Sequence, residues 1–274
     1  MRIFPSPHTT LIEATSSEFH DAKVALARSL QSGIPINRGK WQSEDTTVAA
    51  YELHNVLFSY RMPQTFGALV ENVPADVEWA EEHFRERVGG EPLNPAPSYV
   101  RWPYHSQKEA ERHVANGVFS HTYPERMWPT FANVGERRPN GRRVYVPHNG
   151  IRYQYGNLQD VVTQLQKDPF TRQAYLPIWF PEDTGATEGQ RVPCTLGYHF
   201  IRNGQHLDCN YFIRSCDIYR HFTNDVYLAI RLTEWIHQQL VPQTSEEHPF
   251  WLGRLNMFIS NLHMFVADEW RFTT

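Results

Sequence analysis

Residues 195–213 read TLGYHFIRNGQHLDCNYFI and contain two strand-like runs joined by Asn203-Gly204. The runs are Thr195 to Ile201 and Leu207 to Ile213, and Asn-Gly between them favours a two-residue hairpin because both turn positions need a positive φ. Val226 to Leu240 follows as a predicted helix, with apolar side chains recurring on one face. Strands followed by a helix, without strict alternation, predict an α+β fold.

The segments upstream of this hairpin add further helices and strands, with no internal repeat and no convincing domain boundary. We therefore expect one domain over residues 1–274. Three more helices are predicted at Ser16 to Leu30, Asp76 to Val88 and Leu158 to Lys167. Two more strands are predicted at Thr46 to Tyr60 and Ala174 to Phe180, and a proline-rich loop at Pro92 to Pro103.

Composition predicts a folded globular protein. The 274 residues are 41% hydrophobic and 20% charged, which excludes disorder and rod-like repeats. A net charge of −4 provides no overall basic footprint for nucleic acid. No apolar run is long enough to cross a membrane, and Met1 to Ser17 lacks the apolar core of a secretory signal. Three cysteines, an odd number, indicate a reducing compartment, so we expect a cytoplasmic protein.

Cys194 is the candidate nucleophile. It stands in RVPCTLG, residues 191–197, and the predicted hairpin would bring Arg214 alongside the start of the first strand. A nearby cation lowers the pKa of a thiol and so favours the reactive thiolate. A buried, inert thiol is the other interpretation, since cysteine packs as a small apolar residue. Cys209 and Cys216 lack the Cys-x-x-Cys spacing of zinc sites and are expected to be core thiols.

Several arginines stand beside turn residues and are candidates for holding an anion. Arg214-Ser215, at a predicted strand end, offers a guanidinium fork and a hydroxyl for phosphate, although a surface ion pair is the other interpretation. Arg38 and Arg172 are similar but isolated. The chain has no Walker loop, Gly-x-Gly-x-x-Gly or His-Glu-x-x-His, so ATP, dinucleotide and zinc-protease sites have no support. The scattered histidines lack metal-ligand spacing, and we expect no metal.

In their order along the chain, these residues resemble the thymidylate synthase superfamily. The family's motifs are a phosphate loop, a folate-side tryptophan, an active-site tyrosine, an arginine pair, Pro-Cys, Arg-Ser-x-Asp and a sugar-reading His-x-Tyr. The matching segments are, in turn, Arg38-Gly39, Trp102, Tyr123 ahead of Trp128, Thr171-Arg172-Gln173, Pro193-Cys194, Arg214 to Asp217 and His263-Met264-Phe265. Each match alone is weak, but the ordered set is specific.

The resemblance implies a thymidylate synthase-like α+β sandwich, a twisted mixed sheet at a homodimer interface, and Arg172 donated across that interface. It implies that 5,10-methylenetetrahydrofolate is a co-substrate and that the Cys194 thiolate adds to C6 of a pyrimidine nucleotide. Tyr123 would be a hydrogen-bond donor in the active site. The implied binding groups are Arg38, Arg172, Arg214 and Ser215 for the phosphate, His263 for the sugar, and Trp102 and Asp217 for folate. No metal, membrane or nucleic acid is implied.

Position 225 departs from the uracil-specific synthases, which carry asparagine there. The segment His221 to Asp225 ends in Asn224-Asp225, which resembles the deoxycytidylate hydroxymethylase branch. Cytosine presents an N4 donor and an N3 acceptor, so a carboxyl group can accept from N4 and, when protonated, donate to N3. Asp225 would then read the base and assist catalysis. Capping a helix that starts at Val226 is the alternative use of this aspartate.

Phe265 is a second departure, because the family has a tyrosine that bonds the sugar. The missing hydroxyl leaves room for a ribose 2′-hydroxyl, so we favour CMP over dCMP. The resemblance then points to 5-hydroxymethylation of CMP, as in enzymes that begin nucleoside-antibiotic pathways. A phage-type dCMP hydroxymethylase, a methylating enzyme that uses hydride, and a non-catalytic nucleotide- or RNA-binding relative are the alternatives.

Further departures concern catalysis and the folate site. The family's catalytic glutamate, three residues before a tryptophan, aligns with Asp76 ahead of Trp79, and Glu78 is a nearby substitute. Gln173 replaces the second arginine of the pair, which removes one phosphate contact. The chain ends nine residues after Phe265, where relatives continue, so we expect a folate site open to the water that hydroxymethylation consumes.

Overall fold

The computed structural model describes residues 1–5, 9–40, 47–101, 114–115, 118–119, 121–130, 156–184, 192–240 and 250–272. The helices in these ranges are α1 (Phe19–Gln31), α2 (Phe66–Asn72), α3 (Val77–Val88), α4 (Pro97–Val100), α5 (Tyr123–Met127), α6 (Leu158–Lys167), α7 (Pro181–Thr184) and α8 (Phe222–Leu240). Short 3₁₀ helices cover Ser16–Glu18 and Val266–Phe272. None of the helices in this described part of the chain has the length and apolar character needed to span a bilayer.

The strands in the same ranges are β1 (Arg2–Pro5), β2 (Thr10–Ala14), β3 (Ile36–Lys40), β4 (Thr47–Arg61), β5 (Val114–Ala115), β6 (Val118–Phe119), β7 (Tyr175–Pro177), β8 (Thr195–Asn203), β9 (His206–Ile213), β10 (Cys216–Asp217) and β11 (Trp251–Phe265). Nine of these described strands form one sheet in the order β1-β2-β4-β11-β9-β8-β7, with β3 on β4 and β10 on β11. β11 is antiparallel to β4 and parallel to β9, so the sheet is mixed. The predicted α+β class is confirmed.

Helices α1 and α8 cover one face of this sheet, and an aromatic cluster joins them to it. Phe19 of α1 stacks on Phe222 of α8 with ring centroids 6.0 Å apart, and Phe58 of β4 meets Phe222 edge-on at 5.1 Å. All three side chains are fully buried. Burial of a ring of this size stabilises the fold by roughly 1.5–3 kcal/mol. The cluster therefore anchors the first turn of α8, where Asp225 lies.

The predicted hairpin is confirmed. β8 and β9 pair antiparallel with Asn203 opposite His206, so the turn lies one residue later than predicted, at Gly204 and Gln205. Asn203 is the last residue of β8 and does not have a positive φ, whereas Gly204 has φ +59°. A glycine adopts this left-handed conformation without steric cost. The pairing also sets Ile213 opposite Thr195, so the end of β9 lies beside the residue that follows Cys194.

Helix α8 begins at Phe222, four residues before the predicted start at Val226. The interpretation of Asp225 as the cap of a helix starting at Val226 is therefore wrong. Its N–H donates to the carbonyl of His221 (2.8 Å), which places it inside the first turn. The helix starts early because Phe222 is drawn into the aromatic cluster, a tertiary contact that overrides the local cap signal.

Two other predicted boundaries need correction. The strand predicted at Ala174 to Phe180 is extended only at Tyr175–Pro177, because the N–H groups of Ile178 and Trp179 both donate to the carbonyl of Leu196 and bend the chain. The predicted loop at Pro92 to Pro103 contains the short helix α4, which starts with a proline at its first position.

The other predicted elements agree with the structure to within a few residues. They are the helices at α1, α3 and α6 and the strand at β4.

No strand is predicted from the sequence at β11, which is nevertheless the centre of the sheet. Its buried residues Leu255, Met257 and Ile259 alternate, but Arg254 stands just before them and Asn256 stands between the first two. These polar side chains find partners only across strands. Arg254 donates to the hydroxyl of Ser59 (2.8 Å), and Asn256 accepts from the same hydroxyl (2.6 Å).

Candidate active site

Cys194 lies one residue before β8 and is half-buried, so it is not sealed in the core. Arg214, just after β9, folds back onto the segment that holds this cysteine. Its backbone N–H donates to the carbonyl of Cys194 (2.9 Å), and its guanidinium donates to the carbonyls of Pro193 (2.9 Å) and Val192 (3.2 Å). The predicted juxtaposition of Arg214 with the start of the first strand is confirmed. It brings a cation to the segment of the candidate nucleophile.

Cys209 and Cys216 are buried, as predicted for core thiols. Burial raises the pKa of Cys209 to about 12. Burial, together with the charge of Asp225, raises the pKa of Cys216 well above its usual value. Both groups are therefore protonated near neutral pH, unlike a reactive thiolate.

A chain of three hydroxyl groups runs beside Cys194. The hydroxyl of Tyr123 lies 3.0 Å from Oγ1 of Thr195, which lies 2.8 Å from the hydroxyl of Tyr211. Burial, followed by the charge of Cys194, raises the pKa of Tyr123 well above its usual value, so this phenol is neutral. Thr195 and Tyr211 are functional candidates that the sequence patterns missed. Alternation along β8 and β9 predicts that they face inward but gives no partner for either hydroxyl.

Asp225 faces the same group of residues from the first turn of α8. Its Oδ2 lies 3.7 Å from the sulfur of Cys216. Burial raises the pKa of Asp225 to about 7, while the charge of Arg87 and the hydrogen bond from Cys216 lower it. The charge of Asp225 in turn raises the pKa values of Tyr123 and Tyr211. The carboxyl group therefore changes its charge near neutrality, next to the hydroxyl chain.

Two of the four predicted phosphate residues, Arg214 and Ser215, lie at the end of β9 near His263, the predicted sugar residue. Ser215 Oγ is 3.5 Å from Nδ1 of His263, which lies on β11 beside β10. Burial lowers the pKa of His263 to about 4, although the charge of Glu52 opposes this change, and Arg214 lowers it further. His263 is therefore a neutral hydrogen-bonding group at physiological pH.

Arg172 stands apart from this group. It is exposed, and its carbonyl lies 3.1 Å from Nε2 of His199 on the sheet face opposite the helices. Arg38 lies on β3, where the structure describes only the backbone. Trp102 is outside the described residues.

Asp217 organises the turn that leads into α8. Its Oδ1 accepts hydrogen bonds from the N–H groups of Tyr219 (2.8 Å) and Arg220 (2.9 Å). Burial raises its pKa. Its Oδ2 has no hydrogen-bond donor among the residues that the structure describes, and the nearest cation there is Arg220 Nε at 3.7 Å. Phe265 is 7% exposed, and Arg220 lies 4.7 Å above its ring.

Asp76 caps α3 and lines a polar cavity of about 130 Å³ with Lys23, Arg220 and Asn224 among its neighbours. Its carboxylate accepts from the N–H of Trp79 (3.4 Å), and its own N–H donates to Asn224 (3.1 Å). The cavity lies beside the turn held by Asp217.

The residues of α3 that approach Tyr123 are instead His83 and Arg87. Arg87 Cζ lies 4.1 Å from the centroid of the Tyr123 ring, and the centroid of His83 lies at 6.1 Å. Both residues were missed from the sequence. Their spacing of four positions places them on one helix face, but on a helix with many charges this pattern is typical of a solvated surface.

No cluster of histidine, cysteine, aspartate or glutamate able to hold a metal occurs within the described ranges.

Comparison with known proteins adds three findings. Thermostable thymidylate synthase A from Bacillus subtilis superimposes with a TM-score of 0.64 and 16% identity, covering 93% of this chain and 82% of that one. The superposition confirms the predicted thymidylate synthase-like fold. No curated protein sequence is significantly similar to the chain. The family model described as thymidylate synthase matches residues 117–264, more than half of the sequence and most of the candidate site. The chain therefore belongs to the thymidylate synthase family.

Proposed function

We propose that the protein is a cytidylate 5-hydroxymethylase that uses 5,10-methylenetetrahydrofolate and water, with CMP favoured over dCMP. The family consists of one-carbon transferases that use this folate as co-substrate. The choice of cytosine rests on a single observation. At position 225, a carboxyl group that titrates near neutrality faces the hydroxyl chain beside Cys194.

The carboxyl group of Asp225 suits cytosine because both of its protonation states are populated near its pKa of about 7. In the protonated form, its O–H can donate to N3 and its second oxygen can accept from the N4 amine. Negative charge builds on the ring when a thiolate adds at C6, and a proton delivered to N3 compensates that charge. An asparagine can match either base after an amide flip, but it cannot deliver the proton.

Cys194 is the proposed nucleophile. Its thiolate pair forms the S–C6 bond, and the C5=C6 pair moves to C5, which becomes nucleophilic. Bound methylenetetrahydrofolate supplies the one-carbon unit that becomes attached to C5. Tyr123, through Thr195 and Tyr211, is the group proposed to pass on the proton that C5 loses. Water takes the place of the departing tetrahydrofolate on that carbon and loses a proton, which completes the hydroxymethyl group. Cys194 then leaves with the S–C6 pair, and the pair at C5 forms the C5=C6 bond again.

Arg214 and Ser215 are proposed to bind the phosphate, with Arg38 as a further cation and His263 at the sugar. The carbonyls of Pro193 and Val192 hold the guanidinium of Arg214, so little side-chain freedom remains to be lost on binding. A neutral His263 can bond a sugar oxygen without adding a charge.

Arg172 is proposed to complete the phosphate site of a partner subunit in a homodimer. It lies on the sheet face away from α1 and α8, next to His199. The same face carries Phe212 and Phe258, stacked with centroids 4.9 Å apart, and Phe258 is 39% exposed. An aromatic pair on a sheet with one exposed ring is a suitable centre for a protein interface.

Asp217 and Trp102 are the proposed folate contacts. Asp217 suits this role because its Oδ2 is buried and accepts no hydrogen bond within the described part of the chain. Such an oxygen is suited to the N–H donors of a pterin ring.

Asp76, at the neighbouring cavity, is the proposed acid that takes the place of the family's catalytic glutamate. An Asp76→Asn variant should therefore lose turnover while still binding CMP.

The reaction is tested with CMP labelled with tritium at C5. We expect tritium release, 5-hydroxymethyl-CMP and tetrahydrofolate, all abolished by Cys194→Ser and retained in the control Cys209→Ala. Release that persists in Cys194→Ser would remove this cysteine from the mechanism. Dihydrofolate as a product would indicate methyl transfer, and nucleotide binding with no turnover would favour a binding protein.

The base and the sugar are tested separately. Asp225→Asn should lose at least about 10²-fold in turnover of CMP, the lower range for a lost general acid. Competition between CMP and dCMP tests the sugar. Phe265 has no hydroxyl and so leaves room for the 2′-hydroxyl of ribose. We therefore expect CMP to be a better substrate than dCMP. A strong preference for dCMP would contradict the assignment of ribose and leave the cytosine assignment intact.

A further inference from the structure

Helix α3 directs a buried positive charge toward the candidate site. Arg87 is 5% exposed and His83 is 1% exposed, although both stand on a helix rich in charged residues. An arginine is almost never buried unless its charge is compensated. The compensating charge is a carboxylate that hydrogen bonds connect to Arg87.

The hydrogen bonds run from Arg87 through His83 and Ser98 to Glu86. Arg87 Nη2 lies 2.8 Å from Nε2 of His83, whose Nδ1 lies 2.8 Å from Oγ of Ser98. Ser98 Oγ donates in turn to Oε2 of Glu86, and its N–H donates to Oε1 (2.7 Å). The carboxylate of Glu86 therefore lies at one end and the guanidinium of Arg87 at the other.

The chemistry of these groups determines the direction of every bond. A guanidinium only donates, so Nε2 of His83 is the acceptor and its proton must be on Nδ1. Burial, followed by the charge of Arg87, lowers the pKa of His83 well below its usual value, which keeps the ring neutral. His83 therefore acts as a fixed neutral link between Glu86 and Arg87.

Arg87 makes two further contacts, one through its guanidinium and one through its backbone. It stacks on the ring of Tyr123 at 4.1 Å, and the backbone carbonyl of Arg87 accepts from Nε1 of Trp128 (2.8 Å). Its Nε is buried and has no acceptor among the residues that the structure describes. The guanidinium is thus held in one position, but the contacts described for it leave the Nε–H without an acceptor.

The charge acts on Asp225, since α3 packs against α8. The groups that face this carboxyl from the neighbouring elements are Arg87 on α3, Tyr123 on α5, Tyr198 on β8, Tyr211 on β9 and Cys216 on β10. Of these five, only Arg87 is a cation.

We infer that Arg87 is a positioning residue of this site: held by His83, Ser98 and Glu86, its guanidinium fixes the ring of Tyr123 and supplies the positive charge that balances Asp225. The inference rests on the proposed function and deepens it, because it assigns control of the base-reading carboxyl to a residue that is not itself proposed to contact the substrate. It predicts that removing the charge keeps Asp225 protonated to higher pH.

The test follows Asp225 directly, without nucleotide or folate. Protein labelled with ¹³C at the aspartate carboxyl carbons is titrated by NMR, and Asp225→Asn identifies the resonance. Arg87→Gln retains a donor toward His83 and removes the charge, so we expect the midpoint of Asp225 to rise by about one pH unit. Arg87→Lys retains the charge and should keep the midpoint close to that of the wild type.

Arg126→Met is the matched control. Arg126 is also buried and also lies over an aromatic ring, Phe180 at 4.4 Å, but it pairs with Asp183 (2.8 Å). Its loss should leave the midpoint of Asp225 unchanged even if it costs stability. An unchanged midpoint in Arg87→Gln, or an equal shift in Arg126→Met, would overturn the inference.

A second measurement covers the case in which Arg87→Gln does not fold. In the wild-type protein, the ¹⁵Nε resonance of Arg87 should move with pH at the same midpoint as Asp225, because coupling between two charges is reciprocal. An Arg87 resonance that is indifferent to the ionisation of Asp225 would overturn the inference. Failure of CMP to bind or react would instead contradict the proposed function and would leave both titrations unaffected.

Discussion

The hydroxyl of Tyr123 lies 3.0 Å from Oγ1 of Thr195, the residue that follows Cys194, so a helix and a strand share one hydrogen bond beside the nucleophile. Thr195 passes the connection to Tyr211 at 2.8 Å. The threonine is thus the only link between the two phenols in this chain of hydroxyls. Its side chain is fully buried, so solvent does not replace it.

Thr195→Val should therefore slow proton transfer without preventing binding. Valine matches the shape of threonine but removes both hydrogen bonds, and loss of an oriented proton carrier lowers turnover by about 10²-fold. We expect tritium release from labelled CMP to fall by that factor while the dissociation constant for CMP stays within about twofold of the wild type, because a buried hydroxyl outside the binding contacts adds little affinity.

Thr233→Val is the control for this substitution. Thr233 is also fully buried, and its hydroxyl donates to the carbonyl of Ala229 within α8 (2.7 Å). A similar loss of turnover in both variants would mean that the effect of Thr195→Val comes from general destabilisation.

Asp225 should make the folded protein less stable as the pH rises. Its pKa is about 7 in the folded state against 3.8 for an ordinary aspartate, so the folded state binds its proton more tightly than the unfolded state does. Between these two values the unfolded state releases the proton while the folded state still keeps it, so the free energy of unfolding falls as the pH rises. The Asp225→Asn variant lacks this carboxyl group, so its free energy of unfolding does not carry this pH dependence.

The measurement is the difference in free energy of unfolding between Asp225→Asn and the wild type, from urea denaturation at several pH values. We expect the variant to gain on the wild type as the pH rises from about 4 to about 7, the interval between the two pKa values, and the difference to level off above it. A difference independent of pH would show that Asp225 has an ordinary pKa.

Gly197→Ala should destabilise the edge of the sheet next to the site. A Cβ at Gly197 would lie 2.7 Å from the carbonyl oxygen of Leu176 on β7, and it would also meet the ring of Tyr175. The backbone of β7 would have to move, and overpacking of this kind costs about 1–3 kcal/mol. Thermal or urea unfolding measures the loss.

Gly67→Ala is the control for Gly197→Ala, and we expect it not to destabilise the protein. Gly67 lies in helix α2, and a Cβ there would meet nothing within 4 Å. Alanine is favoured over glycine in a helix by about 0.5–1 kcal/mol, so this variant should be as stable as the wild type or more stable. Equal destabilisation of the two variants would contradict the packing at Gly197.

The proposed homodimer can be tested by complementation. Cys194→Ser and Arg172→Ala should each be inactive alone, because one lacks the nucleophile and the other lacks the cation donated to its partner. In a mixed dimer, one site carries both defects and the other carries neither. Mixing the two variants under conditions that allow subunit exchange should therefore restore part of the wild-type tritium release.

Matched surface variants test the interface itself. Phe258→Asp places a charge on the exposed ring of the aromatic pair and should yield monomers in light scattering, with no complementation. Phe66→Asp is the control, because Phe66 is similarly exposed, at 44% against 39%, but lies on α2. If Cys194→Ser and Arg172→Ala are both folded and mixing them still restores no activity, Arg172 acts in its own subunit or does not contribute to the phosphate site.

Local patterns determined the elements whose signals lie within a few residues. Gly204 specifies the β8–β9 hairpin by its left-handed backbone conformation, although the turn lies at Gly204-Gln205 rather than at Asn203-Gly204. That hairpin was enough to predict that Arg214 approaches the segment of Cys194. The helices at α1, α3 and α6 follow from the spacing of their apolar residues. The ordered motifs around Cys194 and Arg214 indicated the family, because they reflect chemistry that any member must supply.

Only the tertiary structure decided the rest, and the physical reason is that the missing signals are contacts between distant segments. β11 is a strand because β4 and β9 satisfy its polar side chains, and α8 starts at Phe222 because that ring packs on Phe19 and Phe58. His83 and Arg87 look like surface residues in the sequence. Their burial against Tyr123 depends on α3 packing beside α5 and α8, which no local pattern encodes.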